Sequence, residues 1–231
     1  MVDRAAFLAR GWGAVGGPGG APLLAGDAVV TLQGAFDALV DEDVRRARYP
    51  DRQACLRVCQ RWPQVWRRHA AFQDLLDVGG LQAAAGALLG CASVRLLFLD
   101  MVVKAPRSTL HVPWHQDLPQ WAVRVDAAQR APAGALLWIA LDEVDPSTGG
   151  LRYLRGGHHE ASPPDAEVDV LERMAPGQAI AHDPRAWHAT GPNRTDRWRR
   201  ACLAAFVTPG LARRDGRPWG AEQPELGVVV G

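Results

Sequence analysis

The residues best placed to do chemistry lie in Pro113-Trp114-His115-Gln116-Asp117-Leu118-Pro119-Gln120-Trp121, where an imidazole and a carboxylate stand two apart in an extended, turn-bounded stretch. On a strand, positions i and i+2 face the same side, so His115 and Asp117 can point at one ion. A third ligand is then needed to complete a facial set with open positions, the arrangement that suits non-haem Fe(II) and oxygen activation. His188 is the best candidate: it follows a short apolar, strand-like segment, and Arg199 comes eleven residues later on what reads as the next strand. A lone His-x-Asp is common on protein surfaces. The distal histidine with its following arginine makes this pattern specific.

Three stretches carry a resemblance to a known family. They are Trp114-His115-Gln116-Asp117, the run from Trp138 to Leu151 with its Asp145-Pro-Ser-Thr-Gly149-Gly150 turn, and His188-Ala-Thr190-Gly191-Pro-Asn193-Arg-Thr195-Asp-Arg-Trp-Arg199. From about Phe7 to Pro209 the chain resembles the phytanoyl-CoA dioxygenase-like branch of the Fe(II)/2-oxoglutarate-dependent dioxygenases. The resemblance implies a double-stranded β-helix, a cupin-like jelly-roll, with Fe(II), 2-oxoglutarate and molecular oxygen as cofactor and cosubstrates. It also implies that 2-oxoglutarate chelates the metal through its keto and C1 carboxylate oxygens. The far carboxylate then needs a buried cation, and Arg199 is placed to supply a guanidinium fork that stays charged when buried.

Thr190 would add a hydroxyl donor, and Trp138 stands at the family position that flanks the cosubstrate. Lys104 is a further cosubstrate contact or else a solvated lysine at a strand end. Arg197 and Arg200 are read as solvent-facing or structural. Related halogenases carry a small residue in place of the carboxylate, so Asp117 points to oxygenation or oxidative cyclisation. Gln116 and Trp121 are the candidate substrate contacts, with core packing the alternative for Trp121. His111, His158, His159 and His182 are read as structural, with His158 at a turn position of the family.

The elements that must position these residues follow from composition and pattern. A chain of 231 residues suits a single domain, with about 1–90 as a mostly helical buttress and about 91–208 as the jelly-roll core. The net charge of +1 offers no basic field for nucleic acid. No stretch reaches the roughly 18 uninterrupted apolar residues of a membrane helix, and the start lacks a signal-like run, so the expectation is a cytoplasmic protein. Cys55, Cys59, Cys91 and Cys202 are too few and too scattered for a disulfide framework.

A short helical turn follows Asp3, and Gly16 to Gly20 reads as a flexible connector without the lysine of a phosphate loop. With Asp27 as N-cap, Val29, Val30, Leu32, Phe36, Leu39 and Val40 predict an amphipathic helix. Further helices are expected over about Gln53 to Arg68, where Arg61, Arg67, Arg68 and His69 form a solvated basic face, and over about Leu81 to Leu89. Strands are expected at Val94–Val103, His111–Asp117, Gly134–Leu141, Leu151–Leu154, before His188, and at Arg200–Val207. Asp165 to Met174 reads as a short surface helix or lid, and the tail after Pro209 as partly mobile.

The expected function is an Fe(II)/2-oxoglutarate-dependent oxygenase that hydroxylates or oxidatively cyclises a small molecule. The compact, Ala/Arg/Gly-rich chain looks like a bacterial tailoring enzyme of secondary metabolism, a monomer or small homo-oligomer with no nucleic-acid or membrane partner. No basic run is shaped for a CoA phosphate, which argues against an acyl-CoA substrate. Trp121 and the acid-rich segment Asp165 to Glu172 suggest a sugar or aminoglycoside-like compound. The competing readings are a non-catalytic jelly-roll binding module, which would be expected to have lost a ligand or the arginine, and a zinc hydrolase, for which no His-Glu-x-x-His helix or general base is evident.

Overall fold

The computed structural model describes residues 2–16, 21–78, 80–126, 129, 131–156, 158, 160, 162–163, 165–171, 173–221 and 223–227, with 58, 77, 78 and 227 described by backbone alone. Most of the glycine connector, His159 and Glu172 lie outside these. The chain begins with α1 (Arg4–Arg10), capped by Asp3, and β1 (Trp12–Val15). The helical third continues through α2 (Gly26–Arg45), α3 (Arg52–Val58), α4 (Ala70–Val78) and α5 (Leu81–Leu89). Helix α2 buries Val29, Leu32, Phe36, Leu39 and Val40 as the three- and four-residue spacing requires. Val30 lies on its exposed side. The helix starts at Gly26, so Asp27 sits in the first turn rather than at the N-cap, and its carboxylate accepts from Ala28 N–H.

The second helical block is shorter than its pattern suggests. It stops at Val58, and Arg61–Trp62 form a two-residue strand, β2, antiparallel to β3 (Ser93–Lys104), with Arg61 opposite Val102 and Trp62 opposite Met101. Pro63 explains the change, because a residue before proline is pushed out of the helical region toward extended backbone. Trp62 is then buried, and its indole N–H donates to Asp43 at 3.0 Å. Arg61 donates to the buried Asp100 at 2.6 Å instead of joining a solvated helix face.

Two antiparallel sheets form the jelly-roll. The remaining strands are β4 (Val112–His115), β5 (Gly134–Ala140), β6 (Leu151–Leu154), β7 (Val168–Val170), β8 (Ala179–His182), β9 (His188–Thr190), β10 (Arg199–Val207) and β11 (Glu225–Gly227). In the larger sheet the order is β1-β8-β5-β10-β3-β11, with β2 beside β3, and in the smaller it is β4-β9-β6-β7. Every residue of β5 is buried, because this central strand has a covered face on each side. Leu137 and Ile139 join the core shared with the helices, while Leu136 and Trp138 join the core between the sheets. Strand β10 divides the same way, with Cys202, Ala204 and Phe206 toward the helices and Ala201, Ala205 and Val207 toward the interior of the roll.

One further expectation is corrected. Within the segment expected as a helix or lid, Val168-Asp-Val170 alternates with period two and forms the edge strand β7 beside β6. The tail also folds back: β11 extends the larger sheet along β3, and Arg213 bridges Val123. Arg214 donates to the backbone carbonyls of Pro119, Leu118 and Trp121.

Candidate metal centre and active site

The smaller sheet aligns the histidines. His115 on β4 is the register partner of His188 on β9, which is in turn the partner of Tyr153 on β6. Cross-strand partners project to the same face, and the two imidazole centroids lie 4.1 Å apart. Strand β4 ends at His115. Asp117 has helical backbone (φ −76°, ψ −34°) and flanks a 3-10 turn over Leu118–Gln120. The carboxylate therefore reaches His115 through a turn, not through the alternation of a continuous strand.

The proton positions on both histidines follow from their neighbours. His115 Nδ1 lies 2.9 Å from Pro113 O, and His188 Nδ1 lies 2.9 Å from Ala186 O. A carbonyl only accepts, so each Nδ1 carries a proton, and in the neutral imidazole Nε2 then presents a lone pair. Those Nε2 atoms lie 3.7 Å and 3.8 Å from the two oxygens of Asp117, too far for hydrogen bonds. Donors on neighbouring positions of one ion, at about 2.0–2.2 Å each, stand about 3–4 Å apart. His115, Asp117 and His188 can thus all offer an atom to a single metal.

Their charge states suit the same role. Burial, followed by the neighbouring His182, pushes His188 down to about 3, so it is neutral at physiological pH. Burial alone would raise Asp117, but the hydrogen bond from His182 and the imidazoles around it hold it down at about 2. His188 thus offers a neutral imidazole and Asp117 an ionised carboxylate.

The larger sheet supplies cations. Arg199 on β10 is the register partner of Lys104 on β3, and both are buried, at 3% and 2% exposure. Like charges directly opposite each other destabilise a sheet, and two buried ones without a counter-charge do so severely. Among the described residues no carboxylate forms a salt bridge with either, and Arg199 feels the Asp142 carboxylate only at longer range. Arg199 Nε is buried without a partner, and burial lowers its affinity for protons to about 10. Burial, with Arg199 next, lowers Lys104 to about 7. Lys104 Nζ donates to Thr190 Oγ1 at 2.8 Å and to Gly191 O. Gly149, at φ +84°, permits this, since a Cβ there would lie 3.2 Å from Lys104 Cδ and 2.5 Å from Gly191 O. Trp138 lies 5.6 Å from the Arg199 guanidinium.

These groups line one cavity of about 400 Å³: His115, Asp117 and His188 together with Lys104, Thr190, Arg199 and Trp138, walled by Leu136, Leu151 and Leu203. The orphan guanidinium, the second cation and the hydroxyl make a receptor for an anionic carboxylate, and the three-donor set leaves open positions for a chelating ligand. The residues present fit both Fe(II) and 2-oxoglutarate. Arg197 pairs at the surface with Glu143 and Asp145, and Arg200 pairs with Asp142, which separates both from Arg199 as expected.

The substrate candidates diverge. Gln116 does not line the cavity; its amide donates to Glu160 O and Arg185 O and ties two loops together. Trp121 is 5% exposed and meets Phe98 edge-on at 6.1 Å, yet it also walls an adjoining recess of about 240 Å³ with Asp117, Gln120, Arg61 and Trp219. Arg61, Asp117 and Gln120 line both spaces. Arg61 and Gln120 carried no local signal as site residues. His182 was expected to be structural, and its contact with Asp117 is non-local, so no local pattern marks it.

A family model for phytanoyl-CoA dioxygenase (PhyH) matches residues 22–201, most of the chain. The chain belongs to the phytanoyl-CoA dioxygenase family. Membership makes it a non-haem Fe(II)- and 2-oxoglutarate-dependent enzyme. Solved structures agree on the fold. AviO1 from Streptomyces viridochromogenes Tue57 is 26% identical over 95% of this chain and 99% of its own, with a TM-score of 0.69. SnoK, a non-haem α-ketoglutarate-dependent carbocyclase of nogalamycin biosynthesis, superposes at a TM-score of 0.77 with 18% identity, covering 96% of this chain and 94% of its own. EvdO2 from Micromonospora carbonacea var. aurantiaca, solved with 2-oxoglutarate, is 22% identical at a TM-score of 0.66 over 94% and 96% of the two chains.

Proposed function

We propose that this family member oxidises a small secondary metabolite at a centre where His115, Asp117 and His188 hold Fe(II), and Arg199, Lys104 and Thr190 hold the far carboxylate of 2-oxoglutarate. The observation that carries the reading is the buried, register-paired Arg199 and Lys104 without a salt-bridge partner among the described residues, in the same cavity as the three-donor set. When bound, iron and 2-oxoglutarate supply oxidising power for a substrate C–H bond, with succinate and carbon dioxide as coproducts. Trp138 lies over the Arg199 guanidinium and orients it, while Leu136, Leu151 and Leu203 exclude water from the anion site. The product is a hydroxylated or oxidatively cyclised metabolite, in keeping with SnoK being a carbocyclase.

The adjoining recess narrows the substrate. Its lining includes Arg61 and Arg213 with Phe98, Trp121 and Trp219, and among the described lining residues its one acid is Asp117. A cationic substrate would find no carboxylate there apart from a metal ligand. Of the acids in the segment Asp165 to Glu172, Glu167 and Asp169 pair with Arg155 at the edge of the smaller sheet and do not line the recess. The lining therefore favours a sugar or another neutral or acidic ring over an aminoglycoside-like amine. A zinc hydrolase is disfavoured because Asp117 is the sole carboxylate lining either space among the described residues, leaving none for a general base.

The test is Fe(II)-dependent release of succinate from 2-oxoglutarate in the presence of neutral, acidic and cationic ring compounds. Stimulation by neutral or acidic compounds is expected. Stimulation confined to amines overturns the substrate class, and protein that binds neither Mn(II) nor 2-oxoglutarate by calorimetry overturns the centre itself.

A further inference from the structure

Asp117 is the ligand with the least backbone support, since it lies beyond the end of β4. Among the described residues its carboxylate accepts a hydrogen bond from one side chain only: His182 Nε2, at 3.1 Å from Oδ2. His182 Nδ1 in turn lies 2.9 Å from the Tyr153 hydroxyl. His182 belongs to β8 of the larger sheet and Tyr153 to β6 of the smaller, and both are fully buried. We propose that Tyr153 and His182 are positioning residues that fix Asp117 as a one-oxygen metal ligand.

An ionised carboxylate only accepts, so His182 donates through Nε2–H. In the tautomer that is protonated only there, Nδ1 carries a lone pair and accepts from the Tyr153 O–H. This tautomer is the opposite of the one on His115 and His188, whose Nε2 lone pairs face Asp117. Three imidazoles thus surround one carboxylate, two as metal donors and one as a hydrogen-bond donor. The distances sort them the same way, 3.1 Å against 3.7 Å and 3.8 Å.

With Oδ2 engaged by His182, Oδ1 is left facing His115. Ligation through one oxygen preserves the open positions that cosubstrate and oxygen need, whereas a carboxylate free to rotate could close one of them. The first strand locks the arrangement. Trp12 on β1 is the register partner of His182 and stacks on Tyr153 with ring centroids 5.1 Å apart and planes 15° from parallel. Strand β1, which gave no clear sequence signal, thereby gains a role at the metal centre.

The inference rests on the metal-site reading, and the experiment separates the two. Co(II) is titrated into the intact protein, following affinity by calorimetry and coordination by the visible absorption of bound Co(II). Loss of an outer-shell partner typically costs 10- to 100-fold in metal affinity. His182→Leu is expected to fall in that range with an altered spectrum, and His182→Gln, whose amide can donate to Asp117, to recover most of the affinity. Tyr153→Phe, which removes one buried hydroxyl at constant shape, is expected to lose several-fold. It also keeps the proposal falsifiable if His182→Leu does not fold. Unchanged affinity and spectrum in His182→Leu, or in both His182→Gln and Tyr153→Phe, overturns the relay while leaving the centre standing. Complete loss in both His182 variants, matching His188→Ala, makes His182 a ligand and also overturns it. Wild-type protein that takes up no Co(II) overturns the centre and the relay together.

Discussion

Arg199→Met should move stability and cosubstrate binding in opposite directions. In the ligand-free protein Arg199 is 3% exposed, faces the equally buried Lys104 across the β10–β3 ladder, and has an Nε without a partner. Replacing buried ionic groups by apolar side chains of similar volume is often neutral or stabilising by about 1–4 kcal/mol. Here the replaced charge has no salt-bridged carboxylate among the described residues and loses only the longer-range attraction of Asp142. Methionine keeps much of the contact with Trp138 and relieves both the burial cost and the repulsion on Lys104. A gain of that size, at about 2–4 °C per kcal/mol for a domain of this length, raises Tm by several degrees without 2-oxoglutarate.

Binding changes the other way. Removing one partner of a buried, hydrogen-bonded charge pair costs about 2–5 kcal/mol, roughly 30- to 4,000-fold in 2-oxoglutarate affinity at 1.4 kcal/mol per tenfold. The assay is thermal unfolding of both proteins with Mn(II), with and without 2-oxoglutarate. Wild type should gain about 2.7 kcal/mol at a hundredfold excess over Kd, and the variant almost nothing at that concentration. A variant less stable than wild type when ligand-free, yet still stabilised by 2-oxoglutarate to the same degree, would refute the reasoning. Arg197→Met is the control: its pairs with Glu143 and Asp145 are at the surface, and exposed pairs contribute about 0–1 kcal/mol.

Replacing His115, Asp117 or His188 by Ala should abolish the Mn(II)-induced rise in Tm seen for wild type; a retained rise in His115→Ala refutes its assignment as a ligand. Because Lys104 titrates near 7 when buried beside Arg199, 2-oxoglutarate binding at pH 8 should take up a proton, read by calorimetry in buffers of different ionisation enthalpy and absent in Lys104→Met. The same group depresses stability most below about pH 7, where the folded protein must carry the charge, and its penalty fades as pH rises toward the unfolded value of about 10.4. Lys104→Met should flatten that rise, and an unchanged pH–stability curve would show that Lys104 is not the group responsible. Trp121→Ala should preserve metal and 2-oxoglutarate binding while raising succinate formed per oxidised product; an unchanged ratio assigns the ring to core packing with Phe98.

The features legible in the sequence were those carried by local pattern. Uniformly apolar β5 and β10 declared themselves as central strands, α5 begins and ends where its residues predict, and the His-x-Asp with a distal His and Arg gave the donor set. The spacing argument nevertheless reached Asp117 through the wrong local geometry, since the two-residue alternation stops at His115 and a 3-10 turn completes the approach. The features that escaped depend on pairing between distant segments. Strand β2 is two residues long and has no period to read, so Arg61 passed for a helical surface residue. The acids around Val168 and Val170 masked an edge strand. The tail has few apolar residues because its attachment is through backbone pairing with β3 and through Arg214 donating to the turn after Asp117.

The division of the site between the sheets ties folding to function. The smaller sheet contributes His115, His188 and Thr190, the larger contributes Lys104, Arg199, Trp138 and His182, and Asp117 stands on the connection leaving β4. Neither sheet alone holds both a metal set and an anion receptor. Two hydrogen bonds cross the gap at the centre, Lys104 to Thr190 and Tyr153 to His182, and each links a proposed cosubstrate or metal position to the opposite sheet. Ligands that bind only the assembled site stabilise the closed roll by mass action. Metal and 2-oxoglutarate should therefore protect the amides of β4 and β9, at the far side of the site from the helical core, more than those of β5, whose two buried faces already secure it.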